Sequence, residues 1–428
     1  MASGDGGPYQ RTVITIFSLW NTMMGTTLLA IPWTIAQAGF TLGIFLTLFM
    51  AALDFYTCSL IVRMAQAMRE KQIDNKVQVV EFSDVCRYFV GPKFAKATTI
   101  ISLITLLTAA IAYWILMSGF LFEIGVSIRE FSADNATAFN IPQLNSSISA
   151  TPKLTAFDSI WTKKITPLLL VAVVFPLTLF KTPTFFTKLN SAGVVSIFYV
   201  IALVAVKAAE WGLNFNFCKD PTLKDFSLRF PALTGTMTLG FFLHNAVIAM
   251  LNPSNPATRI RDLGIGYILV LITYLYIGLG IFMTFPQNKG TIEDNFLKNF
   301  PSSDVVAFVA RCGLLLQMIT TFPLLIYITR LQFVRSLLGK DDTLLFWRIL
   351  LGAVIITIGV LMAIFFPNLG TVLRISGSLS GLAFAFTLPC VVYLAYLRRE
   401  GKATHSVVWS HVLIIAFGFV NFLLQFLI

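Results

Sequence analysis

Ser18-Leu-Trp-Asn21-Thr-Met-Met-Gly25-Thr-Thr-Leu-Leu-Ala-Ile-Pro32-Trp33 stands in the middle of an otherwise apolar segment, residues 12–37. Asn, Thr and Gly weaken an α-helix, and a helix interrupted within hydrocarbon leaves backbone N–H and C=O groups that need partners. Such N–H groups suit a carboxylate and such C=O groups a cation. Gly25, Thr26 and Thr27 would let a carboxylate approach the amides closely, and the Asn21 and threonine oxygens are hard ligands suited to sodium. The competing reading is a notch for a neighbouring helix, because Gly and Thr in membrane helices often mark helix interfaces.

Working outward, hydrophobic residues make up 57% of the 428 and charged residues 12%, with a mean hydropathy of +0.80. Soluble domains are far less apolar. Stretches long enough to cross ~30 Å of hydrocarbon recur along the chain. The pattern predicts about eleven spans, at 12–37, 41–66, 97–126, 164–180, 190–211, 233–250, 263–286, 303–331, 344–366, 370–397 and 406–427. The first lacks the cleavage pattern of a signal peptide and is expected to remain as a span. The fold class is therefore all-α and polytopic: a short N-terminus at 1–11 followed by a single membrane domain at 12–428.

Basic residues recur in alternate loops, as at Arg63, Arg69, Lys76, Lys181, Lys188, Arg259, Arg261, Arg330, Lys340, Arg398 and Arg399. The positive-inside rule makes these loops cytosolic, which places the N-terminus in the cytosol and the C-terminus on the far side. The polar loop 127–163 then faces the lumen or exterior, where its acceptors Asn135-Ala-Thr137 and Asn145-Ser-Ser147 can be glycosylated. Cys58, Cys312 and Cys390 fall in spans, Cys86 in a cytosolic loop and Cys218 alone in the lumen, so no disulfide framework is implied.

In many transporters two five-helix halves of inverted topology each begin with a broken helix. Span six holds Thr234-Gly235 and His244-Asn245, paired with the interruption in span one. Span eight holds Gln317-Met-Ile-Thr320-Thr321-Phe-Pro323, where Pro323 frees a carbonyl near two hydroxyls. That group either completes a sodium site with Asn21 or is a proline kink satisfied within its own helix. His244, Asn245 and Asp54, well inside spans, are candidates for pH sensing or gating. Lys207, Arg311 and Arg374 lie near span ends, where snorkelling to the interface explains them. Leu325-Ile-Tyr327-Ile-Thr-Arg330 fits a loose cholesterol-contact pattern or an interfacial anchor.

The net charge of +11 is spread over short loops without base-stacking aromatics, so nucleic acid is not an expected partner. No Walker A lysine, zinc-ligand pair or nucleophile elbow appears, which argues against an enzyme or an ATP-driven pump. No ring of charged residues lines a pore, which argues against a channel.

Ser18 to Trp33, continued by Gln37-Ala-Gly-Phe40, resembles the first helix of the amino acid and auxin permease group, and within it solute carrier family 38. Tyr113-Trp-Ile-Leu-Met-Ser118, Phe241-Phe-Leu-His-Asn245, Thr273-Tyr-Leu-Tyr-Ile-Gly278, Asn295-Phe-Leu-Lys-Asn-Phe-Pro-Ser-Ser-Asp304 and Gly381-Leu-Ala-Phe384 resemble its lysosomal arginine-transporter branch in matching order. The resemblance implies a LeuT/APC-like five-plus-five inverted repeat, here 12–211 and 233–397, with an extra helix at 406–427. It implies substrate contacts at Thr22, Met23, Met24, Gly25 and Thr26 and sodium ligands at Asn21 with Thr320 or Thr321. It further implies a lysosomal or late endosomal membrane, with the plasma membrane as the alternative. The substrate would be arginine, leucine or another neutral amino acid, and no cofactor is expected beyond the coupling ion. That branch also signals arginine through a long cytosolic arm that engages small GTPases and their scaffold. About ten residues precede span one here, too few for that arm, so docking to such a complex is not expected. A lumenal disulfide, which the branch implies, would need a partner for Cys218.

The expected function is secondary active amino acid transport by alternating access. The alternative is an arginine-binding sensor with little flux.

Overall fold

The computed structural model describes residues 11–71, 81–138, 157, 160–180, 193–215, 224–337, 339 and 344–428. Lys76, Asn145, Lys181, Lys188, Cys218 and Lys340 lie outside them. The helices are α1 (Thr12–Met23), α2 (Ile31–Ala38), α3 (Phe40–Lys71), α4 (Phe82–Phe89), α5 (Pro92–Ala138), α6 (Thr166–Thr178), α7 (Gly193–Trp211), α8 (Pro231–Gly240) and α9 (Val247–Leu251). They continue as α10 (Arg259–Thr284), α11 (Val305–Gln332), α12 (Leu345–Phe365), α13 (Leu369–Ser380), α14 (Leu388–Arg399) and α15 (His405–Leu424).

Eight runs among the described residues are long and apolar enough to cross a membrane, with α13 and α14 forming one run through the π-turn Gly381–Thr387. The other three expected spans are shorter or broken. Span one is α1 plus α2, span four is the 13-residue α6, and span six is α8 plus α9. At 1.5 Å per residue α6 covers only ~20 Å.

The first part of the segment expected as the polar loop 127–163 is helical, because α5 runs 47 residues to Ala138. No Gly or Pro follows Ser127 within it to stop the helix. At ~70 Å it extends well beyond any hydrocarbon core. The backbone of Asn135 lies in its last turns.

The chain divides into two compact units that interleave along the sequence: Met1–Thr105, Ala208–Asp294 and Gly370–Ile428 in the first, and Leu106–Lys207 and Asn295–Leu369 in the second. Each draws on both expected repeats. Because lipid tails are as apolar as leucine, helices associate here through close packing and internal hydrogen bonds.

In the first unit α10 is the hub. A Cβ on Gly278 would stand 2.5 Å from Ile35 and 2.6 Å from Ile31, so only glycine lets α2 seat there. Trp20 Nε1 donates to Thr273 Oγ1 at 3.1 Å and ties α1 to the same helix. On the far side, a Cβ on Gly377 of α13 would lie 2.0 Å from the Gly235 carbonyl oxygen of α8. Thr234 donates to Asn421 Oδ1 of α15 at 2.6 Å.

In the second unit Trp114 of α5 packs on Gly359 of α12 and meets Phe322 of α11 edge-on, with ring centroids 5.3 Å apart. The snorkelling expected of Lys207 and Arg311 is corrected here. Lys207, 7% exposed, pairs with Asp304 at 2.6 Å, and Arg311, 1% exposed, donates to the Leu297 and Phe300 carbonyls, each at 2.9 Å. Buried cations are held inside where they are paired and hydrogen-bonded. Asp304 also caps α11, accepting from the Ala307 N–H at 2.9 Å. Burial alone would raise its carboxyl pKa, but the Lys207 ammonium and the capping amides outweigh burial and hold it below the usual value.

Candidate functional site

Helix one breaks where the polar run predicts. α1 ends at Met23, the chain passes through Met24 and Gly25 with non-helical dihedrals, a 3₁₀ turn covers Thr26–Leu29, and α2 restarts at Ile31 with Pro32 in its first turn. Pro at a helix start loses no needed donor, so this residue favours the restart. The Gly25 N–H folds back onto the Met23 carbonyl at 2.9 Å. At Gly25 φ is −107°, a value open to most residues, and a Cβ there would meet nothing within 4 Å. Glycine is therefore not required for the backbone angle; its effect is to leave open space beside the unwound chain.

Helix six also breaks, though not at both positions expected. α8 runs unbroken through Thr234-Gly235, which is a close-packing point against α13 and α15. The interruption is the turn between Gly240 and Val247, which holds His244 and the half-buried Asn245. His244 is fully buried, and its Nε2 lies 2.9 Å from the hydroxyl of Thr57 on α3. Its Nδ1 has no hydrogen-bond partner, and neither carboxyl oxygen of the fully buried Asp54 has one. Asp54 and Thr57 are three residues apart on one helix and so share a face with His244 above it.

The two breaks meet. A Cβ on Gly240 would lie 3.1 Å from Thr27 Cγ2 and 2.9 Å from the Tyr274 ring, so the end of α8 sits directly against the 3₁₀ turn of helix one. The Tyr274 hydroxyl of α10 donates in bifurcated fashion to the Met23 carbonyl at 2.8 Å and the Gly240 carbonyl at 3.0 Å. Tyr267, two turns earlier, donates to the Phe241 carbonyl at 2.9 Å. Two tyrosines of one helix thus satisfy the carbonyls that the breaks release. Sequence reading missed both, although their seven-residue spacing places them on one helix face.

The other expected site residues are placed as follows. Thr22 is on the last turn of α1 and donates to the Ser18 carbonyl at 2.8 Å; Met23, Met24 and Thr26 are buried. Asn21 Oδ1 is buried without a hydrogen-bond partner in the first unit. Thr320 and Thr321 belong to the second unit, where α11 continues through Pro323. Both hydroxyls donate to the Gln317 carbonyl at 2.8 Å. Arg330, in the segment with the cholesterol-contact pattern, is fully buried and stacks over Tyr327 at 5.3 Å. Among the described residues Cys58, Cys86, Cys312 and Cys390 are free, and no group of three or more His, Cys, Asp or Glu stands ready to hold a metal.

The first unit of this multi-pass chain holds two apposed helix breaks, the arrangement found in broken-helix transporters. The solved structure of MhsT in complex with L-phenylalanine shares this fold, with a TM-score of 0.53, 11% identity and coverage of 97% of this chain and 100% of that one. The family model described as "Transmembrane amino acid transporter protein" matches residues 10–428, and the chain belongs to that family. It is 38% identical to the neutral amino acid transporter 9 of Xenopus tropicalis over 99% of this chain and 81% of that protein. It is 37% identical to the sodium-coupled neutral amino acid transporter 9 homolog of Caenorhabditis elegans over 98% of this chain and 74% of that protein. The family consists of membrane transporters, not enzymes.

Proposed function

We propose that this chain is a secondary active amino acid transporter that binds the α-carboxylate of its substrate at the break in helix one and works by alternating access. The observation that supports this reading most directly is the junction of the two breaks at Thr27, Gly240 and Tyr274, with open space beside Gly25. Unwound amides beside an open volume attract a carboxylate, and small residues there let it approach. Thr22, Met23, Met24, Gly25 and Thr26 form the substrate-contacting segment in this reading.

The finer assignments rest on the sequence patterns and on the family likeness. The transporter has eleven spans, a cytosolic N-terminus and a lumenal C-terminus, and resides in the lysosomal or late endosomal membrane. It is glycosylated at Asn135 and Asn145, responds to arginine, and is driven by sodium. Asn21 of the first unit, whose buried side-chain oxygen has no hydrogen-bond partner, is the oxygen donor offered to that ion. Asp54 favours a second reading of the coupling step, in which a proton replaces sodium, because a fully buried carboxyl without a partner is most easily accommodated when protonated.

Equilibrium binding of labelled arginine and leucine to purified protein, titrated with sodium and with pH, tests these assignments. Sodium-dependent binding that Asn21→Ala weakens supports the sodium reading. Binding that ignores sodium but loses its pH response in Asp54→Asn replaces it with the proton reading.

A further inference from the structure

The second unit contains a cavity of about 430 Å³ that none of the transport residues lines. We propose that it is a ligand site for an anionic headgroup, a phosphate or carboxylate carried on an apolar chain. Its polar lining includes Lys163, Lys164, Lys298, Glu123, Thr166 and Asn295. Three ammonium groups against one carboxylate leave the cavity net positive, which disfavours a cationic amino acid and favours an anion. Its floor is apolar, with Ile115, Phe122 and Ile364 among the lining residues, so the anion comes attached to hydrocarbon.

The cavity is built, not incidental. The segment carrying Lys163 and Lys164 is pinned to α5 by Trp161, whose Nε1 donates to the Phe122 carbonyl at 3.0 Å. The indole occupies the volume that a side chain on Gly125 would take, 2.1 Å from where its Cβ would stand. The Lys163 ammonium is held 5.5 Å above the Phe122 ring. Lys298 sits on the 3₁₀ turn Phe296–Asn299, capped by the Asn295 side chain, which accepts from the Leu297 N–H at 3.1 Å.

A second observation points to a missing partner. Thr166 is 1% exposed and lines the cavity, yet its hydroxyl has no hydrogen-bond partner. Buried hydroxyls are ordinarily bonded, so this one is an unmet donor in the cavity wall. Ile160, Leu168 and Leu169, on the same segment, expose 57%, 52% and 40% of their surface. Lysines beside outward apolar side chains are the arrangement that places ammonium groups at headgroup level with lipid tails alongside.

The test uses the full chain in neutral detergent. Dioleoylphosphatidylglycerol, oleate and dioleoylphosphatidylcholine are titrated separately, and bound molecules are counted by native mass spectrometry. Wild type is expected to retain one more phosphatidylglycerol or oleate than phosphatidylcholine. Retention of phosphatidylglycerol alone assigns the phosphodiester, of oleate alone the carboxylate, and of both the shared anion chemistry. Replacing Lys163 and Lys164 together by Gln should weaken that binding by about tenfold or more, the value of a charge-assisted hydrogen bond. Thr166→Val should weaken it several-fold, and Lys96→Gln, outside the cavity, should leave it unchanged. Glu123→Gln removes the repelling carboxylate and should strengthen it, which a merely structural defect would not do. Equal retention of all three lipids overturns the proposal, as does a loss in Lys96→Gln equal to that of the lysine pair. If the lysine variants do not fold, absence of a gain in Glu123→Gln overturns it.

Discussion

Tyr274→Phe removes one oxygen and leaves the ring in place. That oxygen serves the Met23 and Gly240 carbonyls at 2.8 and 3.0 Å, one from each broken helix. Both acceptors are buried among apolar side chains, and the donated hydrogen is shared between them. Losing it removes one net hydrogen bond and leaves at least one carbonyl without a donor, a cost of about 1–3 kcal/mol. If Tyr274 holds the two breaks in the geometry that receives substrate, much of this cost appears in binding, because the competent arrangement becomes a smaller fraction of the population. The expected result is substrate Kd raised by roughly 5- to 100-fold, with a modest fall in thermal stability. Equilibrium binding of labelled substrate and a melting measurement on the same detergent-purified sample separate the two. A lowered melting temperature with Kd within twofold of wild type would refute the assignment of Tyr274 as the clasp of the site and reduce it to a packing residue.

Gly240→Val should be more severe than Gly240→Ala, since even a Cβ comes within 2.9 Å of Tyr274. Overpacking of this kind costs about 1–3 kcal/mol, read as reduced substrate binding and a lowered melting temperature, whereas Gly25→Ala should be tolerated in open space. Lys207→Met leaves Asp304 without its ion pair and should destabilise the second unit by about 3 kcal/mol or more, measured by thermal melting; a melt unchanged from wild type would show that the pair contributes nothing. The Asp304 carboxyl is held below its ordinary value of 3.8, so its stabilising effect is fully present above that value and is lost as pH falls through the depressed one. Melting curves of wild type and Asp304→Asn should therefore differ by a constant amount from neutral pH to about pH 5 and converge only in stronger acid.

The break in helix one was legible because a run of Asn, Met, Gly and Thr interrupts an apolar segment at mid-depth, a pattern local to the chain. The break in helix six was only half legible. His244-Asn245 does mark it, but Gly235 signalled an interruption that is instead a contact with Gly377. A glycine in a membrane helix reads the same whether it unwinds the chain or admits a neighbour, and only the neighbour decides. The same limit explains Lys207 and Arg311. From the sequence they looked like residues reaching for water, whereas their partners, Asp304 and the Leu297 and Phe300 carbonyls, come from distant parts of the chain. Tyr274 stands in the quoted stretch Thr273–Gly278 and Tyr267 in no motif, and neither shows its role in the sequence, because a tyrosine hydroxyl that serves a released carbonyl has no signature before the fold places that carbonyl beside it.

Flux through the helix-one break is the property that most directly decides between transport and its alternative. Uptake of radiolabelled arginine and leucine into proteoliposomes, with and without a sodium or proton gradient, should be saturable in wild type and abolished by Gly25→Trp, whose side chain fills the open space while the protein remains folded. Saturable uptake that persists in Gly25→Trp would contradict the site, and saturable binding without flux under any gradient would contradict transport and leave a sensor in its place.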